Sequence, residues 1–76
     1  MNDNEINHLL KKIPEKELID LKNAIEMLDY EMTKALIKNI EKQNKLLGSV
    51  LYDLAEQFDF ERMQKMISLV DPNLNF

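Results

Sequence analysis

The 76-residue chain contains no cysteine, no tryptophan, one glycine and two prolines. Without cysteine, neither a disulfide nor a thiolate metal site can stabilise a chain of this size. No apolar run approaches the roughly 20 residues that a membrane span requires. The amino terminus, "MNDNEINHLL", also lacks the positive charge and the long apolar stretch of a signal peptide. We therefore expect a cytoplasmic location and no membrane span.

The net charge of -4 weighs against nucleic acid as a partner, because a phosphate backbone attracts basic proteins. A chain this short forms one small domain, whose hydrophobic gain barely exceeds the entropy lost on ordering. A well-idealised helix bundle, or a partner, is therefore expected to contribute the missing stability, and self-association as a homodimer is a reasonable default.

The scarcity of glycine and proline in a chain rich in Leu, Ile, Met, Lys and Glu predicts helices almost throughout. Pro14, followed by Glu15 and Glu17, fits the first turn of a helix. Apolar residues at helical spacing predict the faces of four helices that point to the core. These faces are Leu18, Leu21, Ala24, Ile25 and Leu28; Tyr30, Thr33, Leu36, Ile37 and Ile40; Val50, Leu51, Leu54, Ala55 and Phe58; and Phe60, Met63, Met66, Ile67 and Val70.

Two segments of the chain resemble each other: "LKNAIEMLDYE" at 21–31 and "LYDLAEQFDFE" at 51–61. Asp29 and Asp59 occupy the same place in the two copies, and each is predicted to cap the helix that follows it. The predicted fold is all-α, a compact four-helix unit built of two αα-hairpins with aspartate-capped corners.

The aromatic residue after each aspartate, Tyr30 or Phe60, is expected to fold into its corner. The residue before the aspartate, Leu28 or Phe58, is expected to close the corner from the other side.

Helix boundaries follow from turn and cap residues. The second predicted helix runs from Tyr30 to about Lys45, Gly48 and Ser49 mark the next break, and Ser49 is the expected cap. Asp71 before Pro72 is predicted to end the last helix. The expected organisation is a flexible or short helical lead-in at 1–12, a helical domain at 13–71 and a tail at 72–76.

His8 is the only histidine, and it invites comparison with phosphotransfer proteins. Histidine phosphotransfer domains carry a lysine three residues after the histidine, as Lys11 is here, and then a glycine, where this chain has Lys12. In the phosphoacceptor box of histidine kinases an acid follows the histidine, and here Leu9 takes its place. A solvated histidine is the preferred interpretation, and phosphotransfer through His8 is the alternative.

One histidine without cysteine leaves only carboxylates as metal ligands, and none has an EF-hand order. No metal and no cofactor are therefore expected. The sequence also offers no residues that could carry a reaction, so no catalytic residue is expected and the chain is predicted not to be an enzyme.

Two surface features are candidate interaction sites. A basic ridge is predicted on one face of the second predicted helix, and apolar side chains that point away from the core stripes are predicted to form an interface. The ridge comprises Lys34, Lys38, Lys42 and Lys45, and the candidate interface comprises Ile19, Met27, Tyr52 and Leu69.

The stretch 13–70, from "IPEKELIDL" to "RMQKMISLV", resembles the carboxyl-terminal segment of bacterial hybrid sensor histidine kinases, downstream of the receiver domain. The resemblance rests on the order of the whole segment. Its matching positions are Pro14, Leu18, Leu21, Asp29, Ile37, Ile40, Leu51, Leu54, Phe58, Asp59, Phe60 and Ile67.

This resemblance implies a non-catalytic helical module in two-component signal transduction, which binds a receiver or kinase domain or a second copy of itself. It brings no catalytic residues. The other hypotheses are phosphotransfer through His8 and a free-standing small regulator that inhibits a partner protein.

Overall fold

The structure is a computed structural model that describes residues 3–70. This part of the chain forms five helices and no strand: α1 (Asp3–Leu10), α2 (Glu15–Glu26), α3 (Tyr30–Gln43), α4 (Lys45–Glu56) and α5 (Phe60–Val70). The all-α prediction is confirmed. The predicted stop at Asp71 and Pro72 and the tail at 72–76 lie outside the described residues.

The sequence repeat reappears in the helix boundaries. α2 and α4 each contain 12 residues, and α3 and α5 begin at Tyr30 and Phe60. Every one of these boundaries is displaced by thirty positions between the two copies. The predicted arrangement as two αα-hairpins is not confirmed, because the most extensive packing joins α3 to α4.

The described helices enclose one core. α1 packs on α5 and α4, α5 also contacts α2, and α3 lies between α2 and α4. The residues of this core cluster come from every helix and from the α1–α2 turn: Ile6, Leu10, Ile13, Leu18, Leu21, Ile25, Ile37, Ile40, Leu47, Leu51, Leu54, Ala55, Met63, Met66 and Ile67. No helix within 3–70 is long and apolar enough to cross a membrane.

The joint between α3 and α4 differs from the prediction. Asn44 ends α3 and begins α4, and its side-chain oxygen accepts a hydrogen bond from the N–H of Leu47 at 2.9 Å. Asn44 is therefore the cap, while Gly48 is buried inside α4 and Ser49 lies exposed on the same helix. The predicted break at Gly48 and Ser49 is wrong.

A polar contact sets how α2 lies against α3. Glu17 of α2 accepts hydrogen bonds from the side-chain amides of Asn39, at 2.6 Å, and Gln43, at 2.8 and 2.9 Å. Three hydrogen bonds to one carboxylate hold the start of α2 against the second half of α3.

Candidate functional site

The corner between α2 and α3 is built by a left-handed residue followed by a cap. Leu28 has φ 54°, and the N–H groups of Leu28 and Asp29 donate to the carbonyls of Ile25 and Ala24, both at 3.0 Å. This pair of hydrogen bonds is a Schellman motif, which normally uses glycine at the left-handed position. The Asp29 carboxylate then accepts the N–H of Met32 at 3.1 Å, as a helix cap does.

The corner between α4 and α5 has the same construction. Phe58 has φ 57°, and the N–H groups of Phe58 and Asp59 donate to the carbonyls of Ala55 and Leu54, at 3.0 and 2.9 Å. The Asp59 carboxylate accepts the N–H of Arg62 at 3.3 Å. Both aspartates therefore make the capping contacts that the sequence predicted for them.

The residues before the two aspartates do not close the corners as predicted. Leu28 is 72% exposed and Phe58 is 66% exposed. A left-handed conformation costs a residue with a side chain about 1–2 kcal/mol. Each corner thus accepts backbone strain and holds a large apolar side chain outward.

The two corners meet through their aromatic rings. The ring of Tyr30 stacks on that of Phe58, with centroids 5.0 Å apart and planes at 29°. Phe60 meets Phe58 edge-on at 6.5 Å. Such offset and edge contacts are favoured by the quadrupoles of the rings. We call Tyr30, Tyr52, Phe58 and Phe60 the aromatic cluster.

Lys34 joins Tyr52 to this cluster. Its ammonium nitrogen lies 4.8 Å from the ring centre of Tyr30 and 5.1 Å from that of Tyr52, within cation–π range. The same nitrogen is 3.0 Å from a carboxylate oxygen of Glu56. This ion pair bridges α3 and α4 beside the exposed rings.

The ion pair holds both of its members in their charged forms. The hydrogen bond to Glu56, helped by those to Tyr52 and Tyr30, raises the pKa of Lys34 above its ordinary value. The hydrogen bond from Lys34 lowers the pKa of Glu56. A general acid or base works best with a pKa near the operating pH, and both shifts move away from neutrality. The arrangement suits binding better than proton transfer.

The predicted basic ridge is divided by the structure. Lys34 is half-buried against two tyrosines, whereas Lys38 and Lys42 are exposed on α3. Lys45 is the first residue of α4, so it does not share a helix with the other three. Lys38 lies next to the aromatic cluster, because it lines a cleft of about 210 Å³ together with Lys34 and Tyr52.

The four residues of the predicted interface lie on three helices and the first corner. Met27 lines a groove between α2 and α3, Leu69 lines a different one on α5, and Tyr52 belongs to the aromatic cluster. Ile19 is exposed on α2. The use of these four residues as one interface stays a prediction.

His8 lies exposed in the last turn of α1, a helix of eight residues. Among the residues that the structure describes, no three His, Asp or Glu side chains are grouped so that they could hold a metal ion.

The aromatic cluster was not predicted. The sequence signal for it is the aromatic after each corner aspartate, together with Phe58 before the second one. Helical periodicity assigned Phe58 to the core, since it does not show that α4 has already ended at Glu56. The pairing of Phe58 with Tyr30 depends on how α3 packs against α4.

Comparison with known proteins agrees with the sequence resemblance. A family model for the carboxyl-terminal domain of hybrid histidine kinase–response regulators matches residues 7–68. No curated protein and no solved structure shows significant similarity to the chain. The matched region includes α2 to α4, both corners, the second half of α1 and most of α5. The chain therefore belongs to the family of carboxyl-terminal domains of hybrid histidine kinase–response regulators, which implies a role in two-component signalling.

Proposed function

We propose that this domain is a non-catalytic interaction module of a cytoplasmic two-component system. It docks through the aromatic cluster onto a receiver or kinase domain of that system. The proposal rests mainly on Phe58. Its large apolar side chain is two-thirds exposed, and its backbone has a strained left-handed conformation.

Strain of this kind persists only when its surroundings over-determine it, and it concentrates at functional sites. At Phe58 the surroundings are the Schellman hydrogen bonds and the rings of Tyr30 and Phe60. These contacts hold the ring in place before any partner arrives. A pre-organised aromatic side chain loses little conformational entropy on binding, and aromatic residues dominate the energetics of protein interfaces.

The charges beside the rings support a receiver as the preferred partner. Lys38 is exposed on the edge of the cluster, and the Lys34–Glu56 pair is already formed. A receiver surrounds its phosphorylation pocket with acidic residues, so Lys38 would face opposite charge there. Electrostatic complementarity of this kind speeds the association of two proteins and favours their correct relative orientation.

The mechanism is conformational. Docking of the aromatic cluster orients the partner domain relative to this domain and biases the partner's geometry. No covalent bond is made or broken. The alternative of phosphotransfer through His8 has less support, because His8 lies in the last turn of a short helix. Phosphotransfer domains place the histidine midway along a helix.

The test is a binding titration of the 15N-labelled chain with the isolated receiver domain and, separately, the isolated kinase core of a hybrid histidine kinase that carries this family. The critical variant is Phe58→Asn, because asparagine tolerates the left-handed conformation while removing the ring. Leu46→Gln is the matched control, since Leu46 is an exposed apolar residue on α4 outside the cluster.

We expect amide shift changes around Phe58, Tyr30 and Lys38, at least tenfold weaker binding for Phe58→Asn, and unchanged binding for Leu46→Gln. Absence of binding to both domains, or equal binding by wild type and Phe58→Asn, would refute the proposal. Dimerisation that is lost in Phe58→Asn would also refute it, since the surface would then serve self-association.

A further inference from the structure

A second surface lies between α2 and α3, on residues that the aromatic cluster does not use. This α2–α3 groove has a volume of about 440 Å³. Its floor and walls are mainly Asp20, Asn23, Ala24, Met27, Met32 and Leu36, and all come from α2, α3 and the corner between them. Met27 is 77% exposed and Met32 is 51% exposed.

The internal repeat provides a direct comparison for this groove. Thirty positions later, a smaller cleft of about 240 Å³ is lined by Val50, Asp53, Leu54, Gln57, Arg62 and Met66. Each of these residues is the counterpart of one residue in the α2–α3 groove. The two concavities are therefore the same surface of the repeat, once on α2 and α3 and once on α4 and α5.

In the second copy this surface carries a helix. α1 packs on α5 and α4, and its residue Ile6 is only 2% exposed and lines the remaining cleft. As a result Met66 is buried, whereas its counterpart Leu36 in the first copy is half-buried. Among the helices within residues 3–70, those that α1 packs on are α4 and α5. The repeat thus has a surface that accepts a short amphipathic helix, and α1 covers one of its two copies.

Three residue differences between the two copies indicate which kind of side chain the α2–α3 groove would bind. Ala24 stands where the second copy has Leu54, so the floor is deeper. Met27 and Met32 stand where the second copy has Gln57 and Arg62, so the walls are more apolar and a cation is lost. Methionine walls adapt to varied apolar side chains and are common in helix-binding grooves.

The charge of the groove distinguishes between the helices that would fit it. Asp20 and Asp29 are the charged residues that line it, and both are acidic. α1, with the sequence DNEINHLL, contains acidic residues and neither lysine nor arginine. These acidic residues precede Ile6, whereas Lys11 and Lys12 follow the end of the helix. The first turn of α1 from a second copy would therefore meet like charge in this groove.

We infer that the α2–α3 groove is a docking site for a short amphipathic helix of a partner protein that has an Ile/Leu stripe flanked by basic residues. The incoming apolar side chain lies over Ala24, between Met27 and Leu36, in the way that Ile6 lies beside Leu54 and Met66. This inference goes beyond the proposed function, because it concerns another surface and another class of ligand.

The experiment titrates the full chain, which carries labelled methyl groups, with peptides based on α1. The probe is the peptide of residues 3–13 with lysine in place of Asp3 and Glu5, stapled on its polar face to keep it helical. The comparison peptide has the native sequence and the same staple. Because neither peptide contains a receiver or kinase domain, failure here leaves the proposed function testable on its own.

We expect the lysine peptide to shift the methyl signals of Met27, Met32 and Leu36, and to bind at least tenfold more tightly than the native peptide. The double variant Met27→Gln/Met32→Arg copies the second repeat at exposed positions. It should weaken binding at least tenfold and keep the remaining methyl spectrum. Leu46→Gln should bind as wild type does.

Three outcomes would overturn the inference. They are no shifts in the groove, equal binding by the double variant, and shifts confined to Met63 and Met66, which would mean that the peptide displaces α1 instead.

Discussion

Gly48 of α4 lies against the backbone of Glu41 of α3, so closely that a Cβ atom at position 48 would come within 2.5 Å of the Glu41 Cα. It would also lie 2.9 Å from the backbone nitrogen of Glu41. Backbone atoms inside a helix cannot move aside as a flexible side chain can. The only glycine of the chain is therefore a point of close approach between α3 and α4, and not the break that its residue type suggests.

We predict that Gly48→Ala destabilises the domain even though alanine is the better helix former. The added methyl group must push α3 and α4 apart, and such overpacking costs about 1–3 kcal/mol. The free energy of unfolding in urea measures the effect. Ser49→Ala is the matched control, since Ser49 is exposed on the same helix and should change stability by less than about 0.5 kcal/mol. Equal stability of Gly48→Ala and wild type would show that the helices separate without strain.

The contribution of the helix caps to stability can be measured by removing the capping side chains. Asp29→Ala and Asn44→Ala each remove a side-chain acceptor from a helix start, and each should lower the free energy of unfolding by about 1 kcal/mol. Asp29→Asn keeps the acceptor and should stay within a few tenths of a kcal/mol of wild type. A large loss in Asp29→Asn would mean that the carboxylate charge, and not the cap, is what position 29 requires.

Leu28→Gly should stabilise the domain. Glycine avoids the left-handed penalty of about 1–2 kcal/mol, and its greater freedom in the unfolded chain offsets part of that gain. Because Leu28 is mostly exposed, little packing is lost, and the expected increase is about 0.5–1 kcal/mol. Phe58→Gly should gain less, since it also removes the stacking on Tyr30. Thermal and urea unfolding of the two variants, side by side, measure the difference, and a destabilised Leu28→Gly would contradict the strain argument.

The Lys34–Glu56 pair predicts a specific pH dependence. The folded-state pKa of Glu56 lies below the ordinary value of 4.5. A carboxyl group whose pKa is lowered on folding stabilises the folded state at pH values above its ordinary pKa. That stabilisation is lost as the pH falls through the folded-state pKa. The stability difference between wild type and Glu56→Gln should therefore be constant above about pH 6 and shrink steadily below pH 4.5.

Carboxyl NMR titration of Glu56 checks the same point directly. In Lys34→Met the pKa of Glu56 should return towards its ordinary value, because the hydrogen bond that lowers it is removed. A Glu56 that titrates at 4.5 or higher in the wild type would disprove the ion pair.

The phosphotransfer hypothesis predicts that His8 becomes phosphorylated, whereas the interaction proposal predicts that it does not. When the chain is incubated with a radiolabelled phosphorylated receiver, we expect no acid-labile phosphate above the level of a His8→Gln variant. His8→Gln is a suitable control because His8 is exposed and its replacement leaves the core intact. Label present in the wild type and absent from His8→Gln would establish phosphotransfer and end the non-catalytic interpretation.

Local sequence rules were reliable where the determining contacts lie within a few residues. The aspartate caps depend on a side chain and an N–H three residues later, and both Asp29 and Asp59 were identified. The thirty-residue repeat was also visible, because equivalent helix faces need equivalent residue types. The same rules failed at Gly48, where the relevant neighbour is Glu41 on another helix. They failed again at Leu28 and Phe58, which continue the apolar period of a helix that has already ended.

Composition, periodicity and capping residues were enough to establish an all-helical domain with two similar corners. Those properties arise from short-range backbone geometry and from the separation of apolar and polar faces, which a linear chain displays directly. The family of the domain follows instead from the resemblance of the whole segment and from the family model that matches residues 7–68. Packing between helices decided the rest: that Tyr30 stacks on Phe58, that Lys34 pairs with Glu56, and that α1 covers one copy of the repeated groove. These contacts bring together residues distant in the chain, and helix–helix distance and rotation, which no local pattern encodes, determine which side chains meet.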